Sequence, residues 1–231
     1  MFDVSKSSPA IATLRPSEYT AALVHALRAE PSRVRGARVL EMGCGSGVVL
    51  AVLAGLGAVS LAGVDIEDDA VTTGLSLLRD LGHDAELFQG DMWQPVAGRR
   101  FDLIVANLPH FPMEHFEVIG RLPTWSSGGA DGRELLDPFL EGLSDHFAAN
   151  GRAVITHNAF VDVERSRRIL ERHGLAMHIV RTVLVHVANE KIDLMTPSIL
   201  QAEEGRSIHR YGPHIFADMH IVEIAAAGTH G

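Results

Sequence analysis

Apolar segments of strand length alternate with segments of helical period through most of this 231-residue chain, and that alternation constrains its fold more than any other feature. ARVLEMG (37–43), SLAGVDI (60–66), DAELFQGD (84–91), FDLIVANL (101–108) and RAVITHNA (152–159) read as strands. Between them, the apolar stretch 48–56, DDAVTTGLSLLRDLG (68–82) and RELLDPFLEGLSDHFAANG (133–151) read as helices, the second with acidic residues in its first turn. VDVERSRRILERHG (161–174) follows as an amphipathic helix ending at Gly174. Strands and helices alternating at this spacing predict an α/β fold with a mainly parallel sheet and helices on both faces. The last third differs. LAMHIVRTVLVHVA (175–188) and FADMHIVEIAAA (216–227) read as two strands with no clear helix between them, an antiparallel pair closing the edge of a seven-stranded sheet. No internal repeat, low-complexity tract or linker marks a boundary, so residues 1–231 are expected to form a single domain, with 1–36 as an N-terminal helical extension.

Composition narrows the function classes. Hydrophobic residues make up 46% and charged residues 21%, a globular balance. No apolar stretch approaches the roughly 18 residues that cross a bilayer, and the start MFDVSKSSPA lacks the basic and apolar regions of a signal peptide, so no membrane association and a cytoplasmic location are expected. Cys44 is the only cysteine, which excludes an internal disulfide and a cysteine-rich metal site. A formal charge of -9 argues against binding nucleic acid through its phosphates; Arg33, Arg35 and Arg38 read as a solvated loop. Thirteen histidines, including those in HRYGPH (209–214) and His220, match no familiar metal-ligand spacing, so no metal is expected.

The first chemical signal is EMGCGSG (41–47) at the end of the first strand. Its glycines at 43, 45 and 47 let the backbone turn tightly and approach a ligand beside the next helix's N-terminus. Alone, the pattern also fits a plain strand-to-helix turn or a dinucleotide site. Asp65 ends the second strand, where a carboxylate can accept both hydroxyls of a ribose. Gly90, Asp91 and Met92 end the third, where Asp91 can take an adenine amine while Met92 covers the ring. Each acid singly has an alternative as a helix cap or turn residue. Three such groups at the carboxyl ends of successive strands mark the place where open α/β sheets bind ligands.

With VLEMGCGSG, GVDI, QGDM and FDLIVANLP in this order over about residues 37–110, the chain resembles the class I S-adenosylmethionine-dependent methyltransferases, whose fold is Rossmann-like. The resemblance implies S-adenosyl-L-methionine as cofactor, with Glu41, Gly43, Cys44, Gly45 and Gly47 around its methionine part, Asp65 and Ile66 at the ribose, Asp91 and Met92 at the adenine, and Asn107 near the methyl group. Three further segments resemble the HemK-type protein glutamine methyltransferases. They are LRPSEYTAALVHAL (14–27), the Asn107-Leu108-Pro109-His110 stretch in place of an Asn-Pro-Pro-Tyr motif, and SSGGADG (126–132) in place of a Gly-Gly-x-Asp-Gly loop. Only about 36 residues precede the first strand, fewer than the separate N-terminal domain of many such enzymes needs.

The asparagine has a chemical reason. A planar amide or arylamine nitrogen is a poor nucleophile because its lone pair is delocalised. A site that accepts both N–H groups, here through the Asn107 side-chain oxygen and the Leu108 carbonyl backed by Pro109, aims that lone pair at the methyl group. Leu108 departs from the family's proline and His110 from its aromatic residue. His110 can stack, hydrogen-bond or act as a base, and Phe111 offers another stacking face. Trp125 either closes over a planar substrate or anchors the loop, His157 either approaches the cofactor face or, the favoured reading, is a hydrogen-bonded core histidine, and 195–215 reads as a loop shaping the acceptor pocket. The acceptor stays open between a protein glutamine and a small molecule, the latter including oxygen acceptors with His110 as base. The acidic charge weighs against RNA. Two other classes are a nicotinamide-dependent oxidoreductase on a similar sheet and a nonenzymatic cofactor-binding module. Nothing in the sequence indicates the oligomeric state.

Overall fold

The computed structural model describes residues 16–113 and 126–228. Its centre is a sheet of β1 (Arg38–Met42), β2 (Ser60–Asp65), β3 (Glu86–Gln89), β4 (Phe101–Ala106), β5 (Phe147–Asn158), β6 (Leu175–Val187), β7 (Ile208–Tyr211) and β8 (His214–Ala226). The strand order is β3-β2-β1-β4-β5-β8-β6, with β7 paired to β8. From β3 to β5 every pairing is parallel, while β8 runs antiparallel to both β5 and β6. The mainly parallel sheet with an antiparallel C-terminal edge is therefore present, with one strand more than the seven expected. β7 supplies the eighth by pairing with residues 214–217 of β8, beyond the stretch 219–225 that β5 occupies.

The central strands are apolar on both faces because helices cover both. Leu40, Met42, Ile104 and Ala106 point into one core with Phe139 and Leu140 of α4 (Leu136–His146). Their neighbours Val39, Leu103 and Val105 point the other way, against Leu23 and Leu27 of α1 (Glu18–Ala29) and Leu50 and Leu53 of α2 (Val48–Gly55). The period-2 alternation of side chains thus divides each strand between two cores. Ser17 and Thr20 form a reciprocal capping box that starts α1, and Asp162 caps α5 (Val163–Arg172) by accepting from Arg165 N–H.

Two differences from expectation have local causes. The helix read over 133–151 is shorter: it ends at His146, and β5 begins at Phe147, opposite Phe101. Asn150 adopts φ +63° before Gly151, a turn that the helix cannot pass through. The stretch 195–215 is not a loop. After the four-residue turn α6 (Asn189–Ile192) it holds α7 (Pro197–Glu203), opened by a proline at its first position, and then β7. Helices this short carry too little periodicity to stand out in the sequence.

The chain between β1 and α2 passes close to α3 (Asp68–Asp80). Gly47 has φ +76°, and a Cβ on it would lie 2.9 Å from the Gly74 Cα in α3. Gly47→Ala should therefore cost roughly 1–3 kcal/mol in urea unfolding, whereas Gly55→Ala, with open space around a new Cβ, should be neutral or stabilising by up to about 1 kcal/mol. Equal effects at the two positions would contradict this packing.

Candidate active site

The strand order reverses between β1 and β4, since β1 leads through α2 outward to β2 while β4 leads through α4 to β5 on the other side. Such a reversal opens a crevice at the carboxyl ends of the two strands. EMGCGSG enters it from β1 and ANLPHFP from β4.

On the β1 side the loop backbone is in the left-handed region at Gly43 (φ +71°), Gly45 (φ +49°) and Gly47. Gly45 donates its N–H to Asp65 Oδ2 at 2.8 Å, and Asp65 Oδ1 accepts from Glu67 N–H at 3.0 Å. The Asp65 carboxylate thereby ties the loop to the end of β2 and keeps lone pairs for two more donors. Glu41 is buried; its carboxyl is reached by the Leu50 backbone N–H of α2, and Oε2 has no partner among the described residues. Burial first, with Asp65 nearby, raises its pKa well above the carboxylate range. Ile66 is 63% exposed at the rim, Asp91 is exposed, and Met92 holds φ +44°. Cys44 differs from its neighbours in the motif. Its thiol is buried against Gly63, and its backbone bonds Val64 and Gly47, so the side chain shapes the loop and offers a ligand nothing.

This set suits S-adenosylmethionine. The unpartnered Glu41 Oε2 is an acceptor that the cationic amino group of the methionine part would satisfy, and a Cβ built on Gly45 would meet nothing within 4 Å, so the loop leaves room for a ligand. Asp65 retains acceptor capacity for ribose hydroxyls, and the exposed Ile66 and the half-buried Met92 flank a place for an apolar ring.

On the β4 side three anchors hold the ANLPHFP segment. Asn107 Oδ1 accepts from Thr156 Oγ1 at 2.7 Å while Nδ2 donates to Thr20 Oγ1 at 3.4 Å, which fixes the amide's orientation between β5 and α1. His110 is 3% exposed; its Nδ1 lies 2.5 Å from the Leu108 carbonyl and its Nε2 accepts from Asn158 N–H at 2.9 Å. Because Nε2 accepts, Nδ1 carries the proton and donates. Phe111 N–H donates to Ser126 O and Gly128 N–H to Phe111 O, so SSGGADG runs alongside the segment as a third brace. The glycines of that loop are sterically required. A Cβ on Gly128 would lie 2.6 Å from His110 Cα, and one on Gly132, at φ +75°, would lie 2.7 Å from His110 O.

These contacts correct two expectations. His110 is not available as a base or a stacking face: both ring nitrogens are committed, and burial holds its pKa down at about 4. Phe111 is 2% exposed: it is a core side chain that packs edge-on against Phe160, and Lys191 Nζ lies 4.5 Å from the centroid of the Phe111 ring. His157 is a core histidine as expected, bonded to Asn158 O and Ser166 Oγ, with a pKa lowered by burial to about 3. Trp125 lies outside the described residues. His209 pairs with Asp218 while His220 bonds Thr182, so the C-terminal histidines diverge. The residues missed by sequence are Tyr19, Thr20, Thr156, Asn158 and Lys191. Thr20 had a signal as the second member of the capping box, but its bond to Asn107 spans 87 positions, as the 49 between Asn107 and Thr156 also do across the sheet.

Comparison with known proteins agrees with this geometry. A methyltransferase domain model matches residues 39–122. The chain is 29% identical over 147 residues to a Methanocaldococcus jannaschii protein provisionally named a protein N5-glutamine methyltransferase, covering 63% of this chain and 74% of that one. It is 30% identical over 161 residues to a release factor glutamine methyltransferase of Agrobacterium fabrum, covering 66% and 54%. The chain thus spans about three quarters of one relative and about half of the other. Among solved structures, a Thermus thermophilus 16S rRNA methyltransferase in complex with AdoMet and guanosine superposes with a TM-score of 0.55 at 20% identity, over 97% of this chain and 44% of that one. A methyltransferase match leaves the oxidoreductase alternative without support. With the glycine loop, the strand-end acids and the Asn107 segment in one crevice, these matches support a class I S-adenosylmethionine-dependent methyltransferase close to the HemK type.

Proposed function

We propose that this enzyme methylates a planar nitrogen, and that its acceptor is an amide of the glutamine type. The observation that carries this reading is the fixed Asn107 amide: Thr156 and Thr20 orient its oxygen at the carboxyl end of β4, next to the Leu108 carbonyl. A carbonyl-type oxygen accepts two hydrogen bonds, so Asn107 Oδ1 and Leu108 O each keep one position for an acceptor N–H after serving Thr156 and His110. His110 acts as a positioning residue. By donating to Leu108 O it supplies the rigidity that a proline at 108 would give, which accounts for both departures from Asn-Pro-Pro-Tyr together.

Bound S-adenosylmethionine supplies an electrophilic methyl group on a sulfonium. Glu41 and the glycine loop would hold its methionine part, Asp65 its ribose, and Ile66, Asp91 and Met92 its adenine. Methyl transfer, with the S–C bond broken as the N–C bond forms, would place growing positive charge on the acceptor nitrogen. The two oxygens holding its N–H groups stabilise that charge, and one proton is released to solvent afterwards. The names of the Methanocaldococcus and Agrobacterium relatives support a glutamine side chain in a protein as the acceptor. The whole chain is read as one methyltransferase domain.

Asn107→Ala should lower turnover by about 100-fold or more with S-adenosylhomocysteine affinity nearly unchanged in calorimetry; loss of both together would assign Asn107 to folding or cofactor binding. Asp65→Ala should weaken S-adenosylhomocysteine binding by about tenfold or more, and unchanged affinity would remove the ribose assignment.

The buried histidines set a pH dependence of stability. Their folded pKa values lie at about 4 and about 3, below the ordinary 6.5, so between pH 6.5 and 4 the unfolded chain binds protons that the folded one does not. Stability should therefore fall with decreasing pH through that window, by up to about 1.4 kcal/mol per pH unit for each histidine. Urea midpoints at pH 7 and pH 4.5 measure this. His110→Gln should flatten the slope, and a wild-type profile with no acid sensitivity would contradict the buried neutral assignment.

A further inference from the structure

Lys191 is the unexplained charge beside the acceptor crevice. It stands on α6, in a C-terminal segment anchored directly to ANLPHFP and the SSGGADG loop. Thr196 N–H donates to Pro112 O at 3.0 Å, Thr196 Oγ1 to Ala130 O at 2.6 Å, and Met195 bridges Met113. From there Nζ reaches 4.5 Å from the Phe111 ring centroid and 6.0 Å from that of Tyr19. Tyr19 in turn donates to Asn158 Oδ1 at 2.8 Å and meets the His110 ring edge-on, while its neighbour Thr20 holds Asn107. The ammonium therefore sits between α1 and the segment that carries Asn107, over the ring that the sequence suggests as a stacking face.

No carboxylate among the described residues pairs with it. Glu190 and Asp193, its neighbours in sequence, are exposed and make no ion pair with it, although twelve other ion pairs to arginine and one to histidine are formed across the described structure. Two aromatic faces offset part of the cost of partly burying an ammonium, but they carry no countercharge. Burial accordingly depresses its pKa to about 8, which leaves it mostly protonated at neutral pH. Lys191 is only half-buried, so an incoming group can still reach it.

We infer that Lys191 binds a carboxylate of the methyl acceptor, so that the substrates of this enzyme carry a negative charge close to the nitrogen that is methylated. The inference rests on the planar-nitrogen reading of Asn107 and names the substrate class of that site. The carboxylate has two sources, the α-carboxylate of a free acylated glutamine and an acidic side chain beside a glutamine in a protein. Both present the same chemistry to Lys191.

The test uses three probes with the S-adenosylhomocysteine-loaded protein, read as binding isotherms in NMR titrations: N-acetyl-L-glutamine, neutral N-acetyl-L-glutaminamide, and the peptide N-acetyl-Gln-Glu-amide. Wild type should bind at least one of the two anionic probes about tenfold or more tighter than the neutral one. Preference for the first identifies a free α-carboxylate, and preference for the peptide an acidic neighbour in a protein. Lys191→Met should abolish the preference and Lys191→Arg should keep it. Equal binding of all three probes, binding of none, or a preference that survives in Lys191→Met would overturn the inference. Asn107→Ala separates the two readings, because it removes methyl transfer while leaving a Lys191-dependent charge preference in place.

Discussion

The crevice exists because β1 and β4 are hydrogen-bonded neighbours whose onward connections leave in opposite directions. Pairing of Met42 with Ala106 brings their carboxyl ends level, so the residues that follow each strand meet across one gap. Everything chemical in the molecule depends on that register. A slip of β4 by one residue against β1 would turn Ile104 away from the core it shares with Leu40 and carry the two loops out of step.

The two sides of the gap are built differently. The β1 loop is glycine backbone tethered by one carboxylate, Asp65, and it keeps an orphaned acceptor in Glu41. The β4 segment is held by side chains from α1, β5 and the SSGGADG loop, each reaching it from a distant part of the chain. His110 lies at the centre of this bracing. Its ring joins Leu108 O to the Asn158 backbone, and glycines at 128 and 132 let the brace pass against its backbone. A buried polar group with both partners satisfied specifies one geometry, which is what a site working by positioning requires.

Much of this was legible in the sequence, for physical reasons that differ by element. The strands β1, β2 and β4 are covered on both faces and so read as nearly continuous apolar runs. The glycine loop and strand-end acids were legible because their spacing follows from backbone geometry. His110 and Phe111 were not. An exposed stacking residue and a buried brace look alike at the sequence level, and burial of His110 is decided by Asn158, 48 positions away. Lys191 carried no signal for a similar reason, since α6 has only four residues and its placement over Phe111 comes from contacts at Thr196 and Met195. Likewise the 195–215 stretch folds as a short helix and a strand because β8 extends past the end of β5 and offers β7 a free edge.

If Asn107 and Leu108 hold a planar nitrogen, the transferred methyl group must end on that nitrogen. Incubating the protein with methyl-labelled S-adenosylmethionine and fractionated cell extract, then fragmenting the labelled product by mass spectrometry, locates that group. The expected product is an N-methyl amide, or an N-methyl on another planar nitrogen. A methyl group found on oxygen, carbon or sulfur would contradict it.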